Sequence, residues 1–74
     1  MTVTVYSPGP YCQACKMTKR HLEKRGILYE ERHSDEIHHA AQAQGITAAP
    51  VVQVMPGAEM WGGYRPDRID ALIS

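Results

Sequence analysis

Thr2-Val3-Thr4-Val5-Tyr6-Ser7-Pro8-Gly9-Pro10-Tyr11-Cys12-Gln13-Ala14-Cys15 is the stretch whose reading decides the fold. Val3 and Val5 alternate with polar neighbours from Thr2 to Tyr6, the pattern of a short strand. The turn formers Ser7, Pro8, Gly9 and Pro10 must end it. From Cys12 to Arg25 the period becomes helical: at about 100° per residue, Cys15, Thr18 and Leu22 share one face while Lys16, Lys19, Arg20 and Glu23 occupy the opposite one. Cys12 falls on the charged side and Cys15 on the buried side. The spacing therefore predicts an exposed attacking sulfur and a sheltered resolving one.

Cys12 and Cys15 are the only two cysteines in the chain. One helical turn brings their sulfurs together, and the loop they close is so short that a bridge there contributes only about 2 kcal/mol through chain entropy. Such a bridge is chemistry before it is scaffolding. Cys12 stands where the helix begins, so its sulfur faces unpaired backbone N–H groups and the positive end of the helix dipole, both of which favour thiolate over thiol.

The bulk numbers bound the rest. A 74-residue chain is one domain, 1–74, near the lower size limit, able to bury about 60% of the surface its unfolded form exposes. Lys plus Arg and Asp plus Glu balance at eight each, and 43% of residues are apolar; neither nucleic-acid binding nor disorder follows from such a composition. Thr2 to Tyr6 alternates as a strand and lacks the charged leader and long apolar run of a signal peptide or membrane span. The expected compartment is the cytoplasm, where closely spaced cysteines are more often redox-active or metal-binding than structural.

Further along, Gly26 fits the residue that ends the first helix, and Ile27 to Arg32 reads as a second strand. Ser34 is the expected N-cap of a helix over roughly 35–44, with Ile37, Ala40, Ala41 and Gln44 along one stripe and Gly45 closing it. Val51, Val52 and Val54 make a third strand, Pro56-Gly57 a turn, and Glu59 to Trp61 a short fourth strand. Pro66 suits the first position of a last helix in which Ile69, Leu72 and Ile73 repeat at i, i+3 and i+4, with Asp67 in its first turn. The order β-α-β-α-β-β-α calls for parallel pairing of the first two strands and antiparallel pairing of the last two. That is a thioredoxin-like α/β layout with a four-stranded mixed sheet flanked by three helices.

A CxxC spacing also serves half of a zinc site, or two of the four ligands of an iron–sulfur cluster. A second CxxC is absent, and only His33 with His38 or His39 has finger-like spacing; His38 and His39 are expected to be solvated on the second helix. A strand followed at once by CxxC opening a helix fits a thiol–disulfide oxidoreductase better. Ala49-Pro50-Val51 starts the third strand, and base rates alone give the Ala49–Pro50 bond as trans. The basic cluster Lys16, Lys19, Arg20, Lys24 and Arg25 reads first as a solvated helix face; the alternative is steering of an acidic partner tail toward Cys12. Trp61-Gly62-Gly63-Tyr64-Arg65 reads either as a turn with half-buried aromatics or as a docking surface, Trp, Tyr and Arg being enriched at interface hot spots.

Taken together these residues resemble the NrdH-type redoxins, small glutaredoxin-like proteins that behave as thioredoxins. The likeness runs through the strand, Cys12-x-x-Cys15, the Lys/Arg-rich helix with Thr18-Lys19-Arg20, Gly26, Ala49-Pro50-Val51-Val52, and Trp61-Gly62-Gly63-Tyr64-Arg65-Pro66-Asp67. The last stretch is similar to a W-S-G-F-R-P signature, with Gly62 for Ser and Tyr64 for Phe. In that family Gln usually stands directly before the second cysteine, whereas here Gln13 follows the first and Ala14 precedes the second.

The resemblance implies that Pro50 is cis and faces the sulfurs, freeing the Ala49 backbone to pair with an incoming polypeptide, with Tyr11, Gln13 and Val51 also at the substrate site. It implies Trp61, Gly62, Gly63, Tyr64 and Arg65 as the partner-binding segment. It further implies reduction by thioredoxin reductase and delivery of electrons to a class Ib ribonucleotide reductase, with no resident cofactor or metal. A small carrier serving two successive partners is most simply a monomer. The nearest rival is a glutathione-dependent glutaredoxin, which favours Pro-Tyr between the cysteines, a basic residue three positions before the first, and Thr-Val ahead of the proline. Here those positions hold Gln13-Ala14, Gly9 and Ala48-Ala49.

Overall fold

The structure, a computed structural model, describes residues 1–9, 11–57 and 59–73. Its elements run β1 (Thr2–Ser7), α1 (Gln13–Lys24), β2 (Tyr29–His33), a 3-10 turn (Ser34–Glu36), α2 (His38–Ala43), β3 (Val51–Met55), β4 (Glu59–Gly62) and α3 (Pro66–Ala71). The four strands form one sheet in the order β2-β1-β3-β4. β1 and β2 are parallel, while β3 runs antiparallel to both β1 and β4. Pro10, part of the turn cluster expected to end β1, lies outside the described residues.

Register explains how the two faces divide. Val5 pairs with Val52, Val3 with Val54, and Val52 with Trp61, so all five point to one face, where they meet Leu22 of α1 and Ile69 of α3. The neighbouring pair Tyr6 and Val51 points the other way and meets Ala41, with Ile37, Ile46 and Met60 packed around them. Strand alternation thus assigns α1 and α3 to one side and α2 to the other. The first side carries most of the buried apolar surface, the dominant favourable contribution to folding.

Both α1 and α2 end in the same way. At α1, Gly26 (φ 70°) sends its N–H to the Glu23 carbonyl, and the Ile27 N–H reaches the Leu22 carbonyl. At α2, Gly45 (φ 74°) bonds to Gln42, and Ile46 to Ala41. These are Schellman ends, in which a left-handed glycine lets the next residue fold back onto the last turn. The motif moves the start of β2: Ile27, expected to open the strand, is the buried residue of the helix end, and pairing begins at Tyr29.

Other boundaries also differ from expectation. Ser34 is not the cap of a helix over 35–44. His33 takes that place, its Nδ1 accepting from the Asp35 N–H at 3.1 Å while the Glu36 carboxylate accepts from the His33 N–H at 3.3 Å. A 3-10 turn results, and Ile37 (φ −120°) separates it from α2. Of the expected stripe only Ala41 is buried; Ile37 is half-buried, and Ala40 and Gln44 are exposed because the α-helical phase starts late and stops at Ala43. In α3, Ile69 is fully buried and Leu72 half-buried, whereas Ile73 is 49% exposed, since the helix ends at Ala71. Pro66 sits in its first turn as expected. Among the described residues, no helix is long and apolar enough to cross a membrane.

Candidate active site

β1, flanked by β2 and β3, carries the chain to one end of the sheet, and the cysteine pair follows at the start of α1. Cys12 is the N-cap residue, in an extended conformation (φ −90°, ψ 110°), and its sulfur accepts the Cys15 N–H at 3.2 Å. A sulfur thus occupies the position that Ser or Asp usually fills, satisfying one of the four donors a helix leaves open. No acidic residue lies in the first turn of α1, so no nearby side chain there opposes negative charge on it. Cys12 and Cys15 are joined as a disulfide, their Cα atoms 5.2 Å apart.

Access separates the two sulfurs. Cys12 is half-buried, while Cys15 is 1% exposed and sits on the helix face that also buries Thr18 and Leu22. The Thr18 hydroxyl donates to the Ala14 carbonyl at 2.8 Å, so its burial leaves no unmet donor. Tyr11 is 93% exposed beside Cys12, and Gln13 is exposed between the cysteines.

Ahead of β3 the Ala49–Pro50 bond is cis, unlike the trans bond that base rates give, and Pro50 is fully buried. The Pro50 carbonyl accepts the Gly63 N–H at 2.9 Å, with Gly63 at φ 82°. Gly62 is held by crowding: a Cβ there would lie 2.5 Å from Ile46 Cγ2 and 2.7 Å from the Ala48 carbonyl oxygen. The Ala48–Pro50 loop and the Gly62-Gly63 segment therefore form one closely packed unit.

The five residues Trp61 to Arg65 do not share one environment. Trp61 is 3% exposed in the core, with the Arg68 guanidinium 5.8 Å above its ring and its indole N–H without a hydrogen-bond partner among the described residues. It packs in the core and leaves almost none of its area for a partner to touch. Gly62, Gly63 and Tyr64 are half-buried and Arg65 is exposed, paired with Asp67. The Tyr64 hydroxyl and the Asp70 carboxylate hold the two ring nitrogens of His21, at 3.2 and 2.8 Å. Asp70 also pairs with Arg25 at 3.0 Å, and its carboxyl is held below the usual range chiefly by the His21 hydrogen bond and then by Arg25. This cluster clamps α3 onto α1.

Two features of the structure had no sequence signal. One is a cleft of about 490 Å³ lined by Cys12, Cys15, Lys16, Lys19, Glu31 and His33, among others, and bridged by a 2.8 Å Lys19–Glu31 ion pair. Its members come from the end of β1 and the loop after it, the start of α1, and β2, and the parallel β1–β2 register brings them together. The other is the crowding at Gly62, visible in sequence only as a glycine. Among the described residues, no three His, Cys, Asp or Glu side chains converge as a metal site, and His38 and His39 are exposed.

The glutaredoxin family model matches residues 3–55. The chain is 40% identical to the glutaredoxin-like protein NrdH of Salmonella typhimurium and 39% identical to that of Escherichia coli K12, in each case across 97% of this chain and 89% of the relative. The chain belongs to the glutaredoxin family, as an NrdH-type redoxin. The solved structure of NrdH-redoxin from Escherichia coli, a glutaredoxin-like protein with a thioredoxin-like activity profile, superposes with a TM-score of 0.80 at 38% identity, covering 100% of this chain and 97% of that one. Plasmodium falciparum thioredoxin, 16% identical, shares the fold with a TM-score of 0.63 over 97% of this chain and 81% of that one. A redox-active cysteine pair in this family makes the redoxin a thiol–disulfide oxidoreductase.

Proposed function

We propose that this redoxin carries electron pairs from thioredoxin reductase to a class Ib ribonucleotide reductase by dithiol–disulfide exchange, as a monomer of one domain in the cytoplasm. The observation that carries the reading is the placement of Cys12 as a helix N-cap that accepts the Cys15 N–H, next to a buried Cys15. In the reduced protein that donor and the helix dipole favour the Cys12 thiolate. The thiolate attacks one sulfur of the target disulfide, and the other target sulfur leaves with the electron pair of the broken bond. Cys15, having lost its proton, then attacks the Cys12 sulfur of the mixed disulfide and expels the second target thiolate. The target gains two electrons and two protons, and the redoxin is left with the Cys12–Cys15 bridge. No cofactor enters the exchange.

The substrate site on this reading comprises Tyr11 and Gln13 beside the bridge and the Ala49-Pro50-Val51 segment opposite it. Ala49 stands just beyond the last ladder pair, Val51 with Gly62, so its backbone groups lie outside the ladder and pair with an extended target segment. Gly62, Gly63, Tyr64 and Arg65 bound the same surface and contact the partner, with Trp61 supporting them from below.

Turnover with each reductant tests the assignment. NADPH with thioredoxin reductase is expected to keep the redoxin cycling against a protein disulfide, and glutathione with its reductase is not. Cycling with glutathione alone would instead make it a glutathione-dependent glutaredoxin. Purified protein that holds zinc or iron and reduces no disulfide would make it a metal-binding module.

A further inference from the structure

The cations of this chain fall into two groups. Five of the eight Lys and Arg side chains are matched internally: Lys19 with Glu31, Arg25 with Asp70, Arg32 with Glu36, Arg65 with Asp67 and Arg68 with Glu59. The remaining three, Lys16, Arg20 and Lys24, are exposed and make no ion pair among the described residues. They stand at i, i+4 and i+8 on α1, and the position one step earlier in the same row is Cys12. The one carboxylate in α1, Glu23, is turned away to accept the Tyr29 hydroxyl at 2.6 Å. The row is therefore neutralised by no ion pair among the described residues, and it begins at the more accessible sulfur.

We infer that Cys12, Lys16, Arg20 and Lys24 form a track that selects target disulfides flanked by acidic residues. The inference rests on the exchange reading above and adds to it a class of substrate. From Cys12 to Lys24 the row rises about 18 Å at 1.5 Å per residue. An extended chain covers that length in about five or six residues. The favoured target is thus an extended polypeptide segment with carboxylates within about six positions of its disulfide cysteine. Charge of this kind acts mainly on encounter, raising association rates by about 10- to 1000-fold at low salt.

Three synthetic disulfide peptides test this, identical except that six residues beside one cysteine carry three Glu, three Ser or three Lys. Single-turnover reduction by pre-reduced redoxin is followed at low ionic strength and again in about 1 M salt, where the screening length falls to about 3 Å. The Glu peptide is expected to react at least about 10-fold faster than the Lys peptide at low salt, with the ratio approaching one at high salt. In Arg20→Gln/Lys24→Gln, both changes lying away from the sulfur, the low-salt ratio should fall to about 3 or less. Arg25→Gln/Arg68→Gln removes the same net charge from paired positions and should keep most of the ratio, with far-UV circular dichroism checking that both variants are folded. Equal rates for the three peptides, or equal losses in the two double variants, overturn the track and leave the exchange reading standing. Failure to reduce any peptide overturns both.

Discussion

The two faces of α1 start at different sulfurs and end in different surroundings. On one, Cys15, Thr18 and Leu22 are sealed against the sheet, none more than 1% exposed; on the other, Cys12 leads through Lys16, Arg20 and Lys24 into solvent. The contrast shows how a single helix can anchor a reactive group and present it. A three-residue spacing turns a difference between faces into a difference between sulfurs. The phase of the helix sets the access of Cys15, and the N-cap position just ahead of the helix sets that of Cys12.

The strongest way to break this comparison is to remove one sulfur at a time. Cys12→Ser should abolish disulfide reduction, whereas Cys15→Ser should attack once and accumulate a mixed disulfide detectable by mass spectrometry. Both variants lose the same bridge, so its loss cannot account for a difference between them. Turnover by Cys12→Ser would mean that the exposed sulfur is not the attacking one.

On stability the faces should trade places. Leu22→Ala opens a cavity beside Val5, Val52 and Ile69 and should cost about 2–5 kcal/mol in denaturant unfolding. Lys24→Ala, on the exposed row, should stay within about 0.5 kcal/mol. Between these extremes lies Gly62→Ser, which would meet the Ala48 carbonyl, a backbone group that cannot rotate aside. It should cost about 1–3 kcal/mol, and by displacing the Ala48–Pro50 loop it should lower kcat/KM for a protein disulfide more than for a small disulfide. Equal losses on the two substrates would detach that loop from target binding.

How much of this was legible depends on the range of the interactions involved. The phase of α1 and the glycines that end α1 and α2 are local, and the sequence carries them in full. The start of β2 was misread because Ile27 serves the helix end, a role fixed by the Leu22 carbonyl five residues back. The start of α2 was misread because a histidine ring took the part usually given to Ser. The burial of Trp61 depends on α3 lying across β4, and the Lys19–Glu31 bridge on strand register, so neither has a short-range signature. The unmatched cations are the clearest case: five similar residues crowd the α1 sequence, and only the folded chain separates Lys16, Arg20 and Lys24 from the two that are paired.

The clamp between α1 and α3 offers a gentler test. Asp70 is held below its ordinary value of 3.8 by the His21 hydrogen bond first and by Arg25 next. A carboxyl lowered on folding stabilises the native state above its unfolded pKa, and that contribution disappears as pH falls through the folded value. Asp70→Asn should therefore flatten the acid limb of stability below about pH 4 and leave the alkaline limb unchanged. Glu36 and Asp67 are lowered too, by Arg32 and Arg65 respectively, so some slope should survive. An acid limb identical to that of the unmodified protein would show that the His21–Asp70 contact is not held in solution.

At the edge of the α1 core, Tyr29 gives the smallest effect and the opposite sign. Partial burial, the 2.6 Å hydrogen bond to Glu23 and the Glu23 and Glu31 charges push its hydroxyl up to about 12 from 10.0. Raised on folding, this group stabilises the native state fully below pH 10 and ceases to do so as pH climbs through 12. Tyr29→Phe keeps the ring against the core but removes the titrating proton. Denaturant midpoints measured from pH 9 to 12 should then decline less steeply than in the unmodified protein, by a margin that solvent screening keeps small. Because Glu23 would lose its partner beside Lys24, the same variant should weaken the preference for acidic targets slightly. An unchanged preference would mean that Glu23 turns away from the cation row even without Tyr29 to hold it.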